Sequence, residues 1–232
     1  MVRQKASENI RILIVDDHPI VREGLRGLIE NKDGMVVVGE AEDGIEAVIK
    51  NRSLQPDMIL MDIIMPRMGG LEAIKEIKKD NPDVKILVLT SFIEDEKLQM
   101  AIHAGAQGYL LKDSSPQELV RAIRDVFEDK LTLHPAATRQ FIQDIKGDAD
   151  VQFSRDQLTQ REIEILKLVA RGFSNREIAK ALCISDQTTR SYVTTILNKL
   201  NLSNRTQAVL YALRNKIIHL DDPISSPPDS TK

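Results

Sequence analysis

The chain has 232 residues, 42% of them hydrophobic, with a formal net charge of −3, enough apolar content for two cores of ordinary domain size. No apolar run approaches the roughly 18 to 20 residues of a membrane-spanning helix, the opening MVRQKASEN lacks the apolar segment of a secretory signal, and the expected location is the cytoplasm. A single cysteine, Cys183, excludes an internal disulfide framework and a cysteine-based zinc site.

From Ile10 onward short β-branched runs alternate with helical stretches. IRILIVDD precedes VREGLRGLIE, MVVVGEA precedes IEAVIKNRSL, and DMILMD precedes LEAIKEIKKD; KILVLT then precedes EDEKLQMAIHAG, and GYLLK precedes PQELVRAIRDVFED. Five nearly all-apolar strands, each followed by a helix, predict a parallel sheet covered on both faces. Ser115, Pro116 and Glu118 have the spacing of a helix start, with an N-cap serine, proline at the first helical position and glutamate three residues after the cap. The alternation stops near residue 130, so 131–153 is expected to be a linker after a first domain at 10–130, with 1–9 as an N-terminal extension.

Beyond the linker the period becomes purely helical over 154–218, where four short helices are expected. Thr159 with Glu162, Ser174 with Glu177, and Asn204 with Gln207 have capping-box spacing, and Ser185 is placed to cap the helix between the last two. The end, HLDDPISSPPDSTK, is rich in proline and serine without apolar periodicity, and 219–232 is expected to be a disordered tail. Charge divides with the pattern: residues 1–150 carry a net −7 and residues 151–218 a net +6. A compact basic segment is the electrostatic footprint of a nucleic-acid binder.

Chemistry is expected at the carboxyl ends of the strands, where open parallel sheets place their sites. Asp16 and Asp17 end the first strand, Asp62 the third, Thr90 the fourth and Lys112 the fifth, and the strand order 2-1-3-4-5 brings all five together. Three carboxylates this close repel one another unless a cation neutralises them, and few, hard oxygen ligands suit Mg²⁺ beside a phosphate. Lys112 supplies a point charge and Thr90 a hydroxyl donor for phosphoryl oxygens, a set suited to phosphoryl transfer onto an aspartate.

The motifs D-D-H, D-I-I-M-P, L-T-S and G-Y-L-L-K, in this order and spacing, make residues 10–129 resemble a response-regulator receiver domain with its flavodoxin-like fold. The resemblance implies that a sensor histidine kinase phosphorylates Asp62. It further implies that Asp17, Asp62 and the Ile64 carbonyl hold Mg²⁺ with help from Asp16, that Lys112 contacts the phosphoryl group, and that Thr90 and Tyr109 form the switch. Beyond slow self-phosphorylation and dephosphorylation at Asp62, no enzyme activity is expected. Gly69 stands where many relatives have aspartate. His18 is expected to belong to the loop after the first strand, without a catalytic role.

In the basic segment, Ile163, Leu166 and Val169 mark one apolar face, Ile178, Ala179 and Leu182 the next, and Val193, Ile196, Leu197 and Leu200 the third. The opposite side of the third helix carries Arg190, Ser191, Thr194 and Asn198, a polar surface suited to the major groove. The fragments L-T-Q-R-E, G-F-S-N-R-E-I-A, I-S-D-Q-T-T-R and R-T-Q-A resemble the LuxR-type helix-turn-helix domain, and with the receiver they resemble the NarL/FixJ subfamily. By that resemblance Arg190, Ser191 and Thr194 face bases of double-stranded DNA and Lys199 faces phosphates. Phosphorylation then favours a homodimer that regulates transcription, with RNA polymerase as a further partner. Thr189, Tyr192 and Thr195 replace a common valine, histidine and asparagine. Cys183, beside Leu182, is expected in the core.

Two other functions compete. A magnesium-dependent phosphohydrolase also uses an aspartyl nucleophile, but expects a second acid two residues later, where this chain has Ile64. A binding protein indifferent to phosphorylation would show DNA binding insensitive to Asp62→Asn.

Overall fold

A computed structural model describes residues 9–91, 95–130, 132–133, 158–202 and 204–218. The expected tail, nearly all of the N-terminal extension and most of the expected linker lie outside the described residues. The chain forms two units, Met1–Phe127 and Glu128–Lys232.

In the first unit strands and helices alternate as the hydrophobic pattern requires: β1 (Ile10–Val15), α1 (Pro19–Glu30), β2 (Met35–Ala41), α2 (Gly44–Leu54), β3 (Met58–Asp62), α3 (Gly70–Asp80), β4 (Lys85–Thr90), α4 (Asp95–Ala104), β5 (Gly108–Leu111) and α5 (Pro116–Phe127). The order is 2-1-3-4-5, with every pairing from β2 to β5 parallel. A two-residue strand, β6 (Thr132–Leu133), falls in the segment expected to be a linker.

Alternation along the strands separates two faces. Ile12, Ile14, Met58, Leu60 and Leu87 form one core with Ile29 of α1 and Leu119, Ile123 and Val126 of α5. Leu13, Ile59, Met61, Ile86 and Val88 point the other way and are just as buried. Removing a large side chain from either layer costs about 2 to 5 kcal/mol, which sets the rigidity of the strand ends. Ser115 and Glu118 cap α5 reciprocally, the Ser115 amide donating to Oε2 of Glu118 at 2.8 Å and the Glu118 amide to Oγ of Ser115 at 3.3 Å.

The second unit holds α6 (Gln160–Ala170), α7 (Asn175–Ala181), α8 (Asp186–Lys199) and α9 (Arg205–Arg214). Thr159 and Ser174 form complete capping boxes with Glu162 and Glu177, while Ser185 and Asn204 accept from the amides of Thr188 and Gln207. The four helices also share one ending. Gly172, Cys183, Asn201 and Lys216 adopt positive φ, and the next residue, Phe173, Ile184, Leu202 or Ile217, returns its amide to a carbonyl five residues back. That is the Schellman stop, and Phe173, Leu202 and Ile217 at these positions pack into the helical core.

Cys183 is therefore not in the core. It occupies the left-handed position (φ 53°) of the turn between α7 and α8 and is exposed; the apolar contact with the helical core belongs to Leu182 before it. Thr189, in contrast, is fully buried and its hydroxyl donates to the Ser185 carbonyl at 3.2 Å, so it fills the space of a valine with its polar atom satisfied within the helix.

Candidate functional site

Strand register assembles the acidic site. Val15 of β1 lies opposite Met61 of β3, which puts Asp16 and Asp62 side by side one step further on, and Asp62 lies opposite Leu89, next to Thr90. From β5, the Lys112 amide donates to the Thr90 carbonyl at 2.7 Å and carries its side chain to the same edge. Its ammonium bridges the two buried carboxylates, 2.6 Å from Oδ2 of Asp16 and 2.8 Å from Oδ2 of Asp62.

This arrangement answers why a carboxylate can end a fully buried strand. Burial pushes the Asp62 carboxyl above the usual carboxylate range; Lys112 and the Ile64 amide oppose the shift, while the neighbouring Asp16 adds to it. Burial alone would lower the Lys112 ammonium, but hydrogen bonds to Asp16 and Asp62 hold it above its ordinary value. One lysine thus shares its charge between two acids.

The cluster fits a hard divalent cation. Asp16, Asp17, Asp62 and His18 each offer a ligand atom, all within 4.8 Å of one another. Among the described residues, buried Oδ1 of Asp17 has no hydrogen bond of good geometry, and Oδ2 of Asp16 faces the Lys112 ammonium at 2.6 Å. Ile64, named for its carbonyl, contributes its amide to Oδ1 of Asp62 at 3.3 Å. Thr90 and Tyr109 are 2% and 1% exposed, so the aromatic ring expected to move stands inward.

The loop after Asp62 is held closely. A Cβ at Gly70 would collide with the Asp62 carbonyl, so glycine there lets α3 begin directly against the strand end. Arg67, with φ 62°, ion-pairs with the fully buried Asp43 and with Glu42 at 2.7 Å. Sequence gave no sign of this Arg67 contact. His18 lies in the loop after β1 as expected, and there its amide donates to Oδ1 of Asp16 at 2.9 Å and its Nδ1 lies 2.7 Å from Oδ1 of Asp17. The signal available was D-D-H-P itself, a histidine at the N-cap of α1 with proline locking the first turn.

On α8, Gln187, Thr188, Arg190, Ser191, Thr194, Thr195 and Asn198 are exposed, whereas Ile196 is buried and Tyr192, Val193 and Leu197 pack against the helical core. Nε of Arg190 pairs with Asp186 at 2.9 Å, both side chains well exposed; such a pair is weak and easily exchanged. Lys199 differs, since its Nζ lies 2.8 Å from the buried Glu162 carboxylate. Beneath, Arg205 is buried, donating to Oδ1 of Asn175 at 3.0 Å and to the Phe173 carbonyl, and burial lowers its pKa to about 10. Among the described residues no helix is long and apolar enough to cross a membrane.

Residues 12–124 match the response regulator receiver domain, and residues 156–212 match the luxR family of bacterial regulatory proteins. The response regulator VraR of Staphylococcus epidermidis is 41% identical over 209 residues, which is 90% of this chain and 99% of that protein. Among solved structures, a LuxR-family two-component response regulator from Aurantimonas sp. SI85-9A1 has a TM-score of 0.57 at 39% identity over 59% of this chain and 98% of its own. A structure of two RcsB dimers bound to two parallel DNAs has a TM-score of 0.56 at 30% identity, covering 90% of this chain and all 100% of RcsB. With both domains matched in order and the acidic strand ends and capped helical unit in place, the chain belongs to the two-component response regulators of the LuxR type, which act in transcriptional regulation.

Proposed function

We propose that Asp62 accepts a phosphoryl group from a phosphohistidine of a sensor kinase, and that this event controls pairing of the chain and binding of α8 to DNA. The observation that carries the proposal is the buried Asp16–Lys112–Asp62 bridge, which poises a carboxylate beside a shared positive charge. A carboxylate oxygen of Asp62 forms the new P–O bond as the donor P–N bond breaks, and the freed imidazole takes up a proton. Asp16, Asp17, Asp62 and the Ile64 carbonyl are suited to hold Mg²⁺, which supplies neutralisation of charge on the phosphoryl oxygens. Lys112 moves its charge from the carboxylates to the phosphoryl group, and the Thr90 hydroxyl donates to it. The inward place of Tyr109 then becomes the favoured one, a population shift whose size follows from how differently the two states contact the phosphate.

DNA is the second partner. Gln187, Arg190 and Ser191 are exposed on the first half of α8, the part of a recognition helix that reaches base edges, and Thr194 follows one turn after Arg190 on the same face. A unit this small makes few contacts, so a homodimer on two half-sites gains affinity through effective concentration.

The test is phosphorylation of the full chain by a small phosphoryl donor with Mg²⁺, read by mass. Wild type is expected to gain one phosphoryl group and Asp62→Asn none. Equal labelling of the variant would place the acceptor elsewhere.

A further inference from the structure

The acidic cluster contains one ligand type that three carboxylates alone would lack. His18 is fixed there by its backbone: its amide donates to Asp16, it occupies the N-cap position of α1 without a side-chain capping bond, and Pro19 restricts its conformation from the next position. Its Nδ1 stands 2.7 Å from Oδ1 of Asp17 and 3.2 Å from Oδ1 of Asp16. Neighbouring ligands with bonds of about 2.1 Å stand about 3.0 Å apart in an octahedral shell and about 3.4 Å apart in a tetrahedral one, so a small turn of the ring takes Nδ1 from hydrogen-bond distance of Asp17 to the spacing of a fellow ligand.

We propose that His18 is a further ligand of the cation site and sets its metal preference, so that the site holds Zn²⁺ more tightly than Mg²⁺ at equal free concentration. The inference rests on the cation-site reading of Asp16, Asp17 and Asp62. Its chemistry is that of the ligand atoms. Mg²⁺ prefers oxygen and gives up its waters reluctantly, so an imidazole nitrogen adds little for it. Zn²⁺ is a borderline-soft ion for which neutral imidazole is among the preferred ligands. The ring is 66% exposed, which leaves it free to turn on its χ angles without breaking a packed core. A simpler role is also defined by the geometry: Nδ1–H could serve only to orient Asp17 by hydrogen bonding, and a partner of that kind supports every ion alike.

The two roles separate in calorimetric titrations of the full chain with Mg²⁺ and with Zn²⁺, using wild type, His18→Ala, His18→Asn and Asp17→Asn. His18→Asn retains a side chain favoured at an N-cap and guards against a simple loss of α1. The Zn²⁺ event belonging to the cluster is the one that Asp17→Asn weakens, which separates it from binding at other histidines. Expected is a loss of about tenfold or more in Zn²⁺ affinity in both His18 variants, with Mg²⁺ changed by less than about threefold. Equal losses for both ions, or no loss for Zn²⁺, overturn the proposal. If Asp17→Asn changes neither ion, the cation-site reading itself fails.

Discussion

The acidic strand ends and the exposed face of α8 handle charge in opposite ways. Around Lys112 two carboxylates are buried and share one ammonium, so removing the ammonium leaves two uncompensated charges away from water, whereas removing one acid leaves a balanced pair. On the outer face of α8 the charges stay in solvent, with Arg190 paired to Asp186 one turn away, and only at its last residue, Lys199, does the helix reach a buried acid, Glu162. The first arrangement stores electrostatic energy that a phosphoryl group can redirect. The second keeps side chains available at little cost, which is what a surface that must exchange solvent for DNA requires.

The contrast is broken most strongly at Lys112. Lys112→Ala is expected to lower the stability of the metal-free protein by about 3 to 5 kcal/mol, because Asp16 and Asp62 lose their shared cation, and Mg²⁺ is expected to restore much of it; urea unfolding with and without Mg²⁺ reads both. On α8 the cost should fall on binding alone. Arg190→Ala is expected to leave the melting temperature nearly unchanged and to weaken a specific DNA site by about 1 to 3 kcal/mol, measured beside a non-specific duplex at the same salt; an unfolded variant would contradict the surface assignment.

A smaller effect is expected at the loop that follows Asp62. Arg67→Gln leaves the buried Asp43 carboxylate without its guanidinium, costing about 1 to 3 kcal/mol in stability and weakening Mg²⁺ binding, while Arg67→Lys recovers part of both. The smallest effect is one of pH. Because burial raises Asp62 in the folded state, its ionised form costs stability above that raised value, and the cost disappears as pH falls below its ordinary value of 3.8. Asp62→Asn should therefore slightly raise the metal-free melting temperature near neutral pH, with the gain shrinking on acidification. Glu162 has the opposite sign: burial would raise it, but Lys199 and the Thr159 cap hold it low, so its contribution is present above its ordinary value of 4.5 and lost as pH falls through the lowered one.

Strand number from β1 to β5, their order, the helix caps at Thr159, Ser174, Ser185 and Asn204, and the convergence of Asp16, Asp62 and Lys112 were all legible in the sequence. Each follows from a local period or cap, or from the rule for parallel sheets. What stayed hidden depends on backbone conformation. Cys183 reads as apolar beside Leu182, yet a left-handed turn reverses its direction. The Arg67 pair with Asp43 joins two loops 24 positions apart through another left-handed residue. The pairing of Lys199 with the buried Glu162 carboxylate 37 positions away is likewise invisible to periodicity. Periodicity assigns a face to a helix and says nothing about which side chains meet across two loops.

The most direct measurement of the central claim is DNA affinity and oligomeric mass of the full chain in Mg²⁺, with and without beryllofluoride, for wild type and Asp62→Asn. The account predicts that beryllofluoride raises both mass and affinity for wild type and changes neither for the variant. If wild type binds beryllofluoride and both quantities stay fixed, or if the variant responds equally, Asp62 does not govern the helical unit.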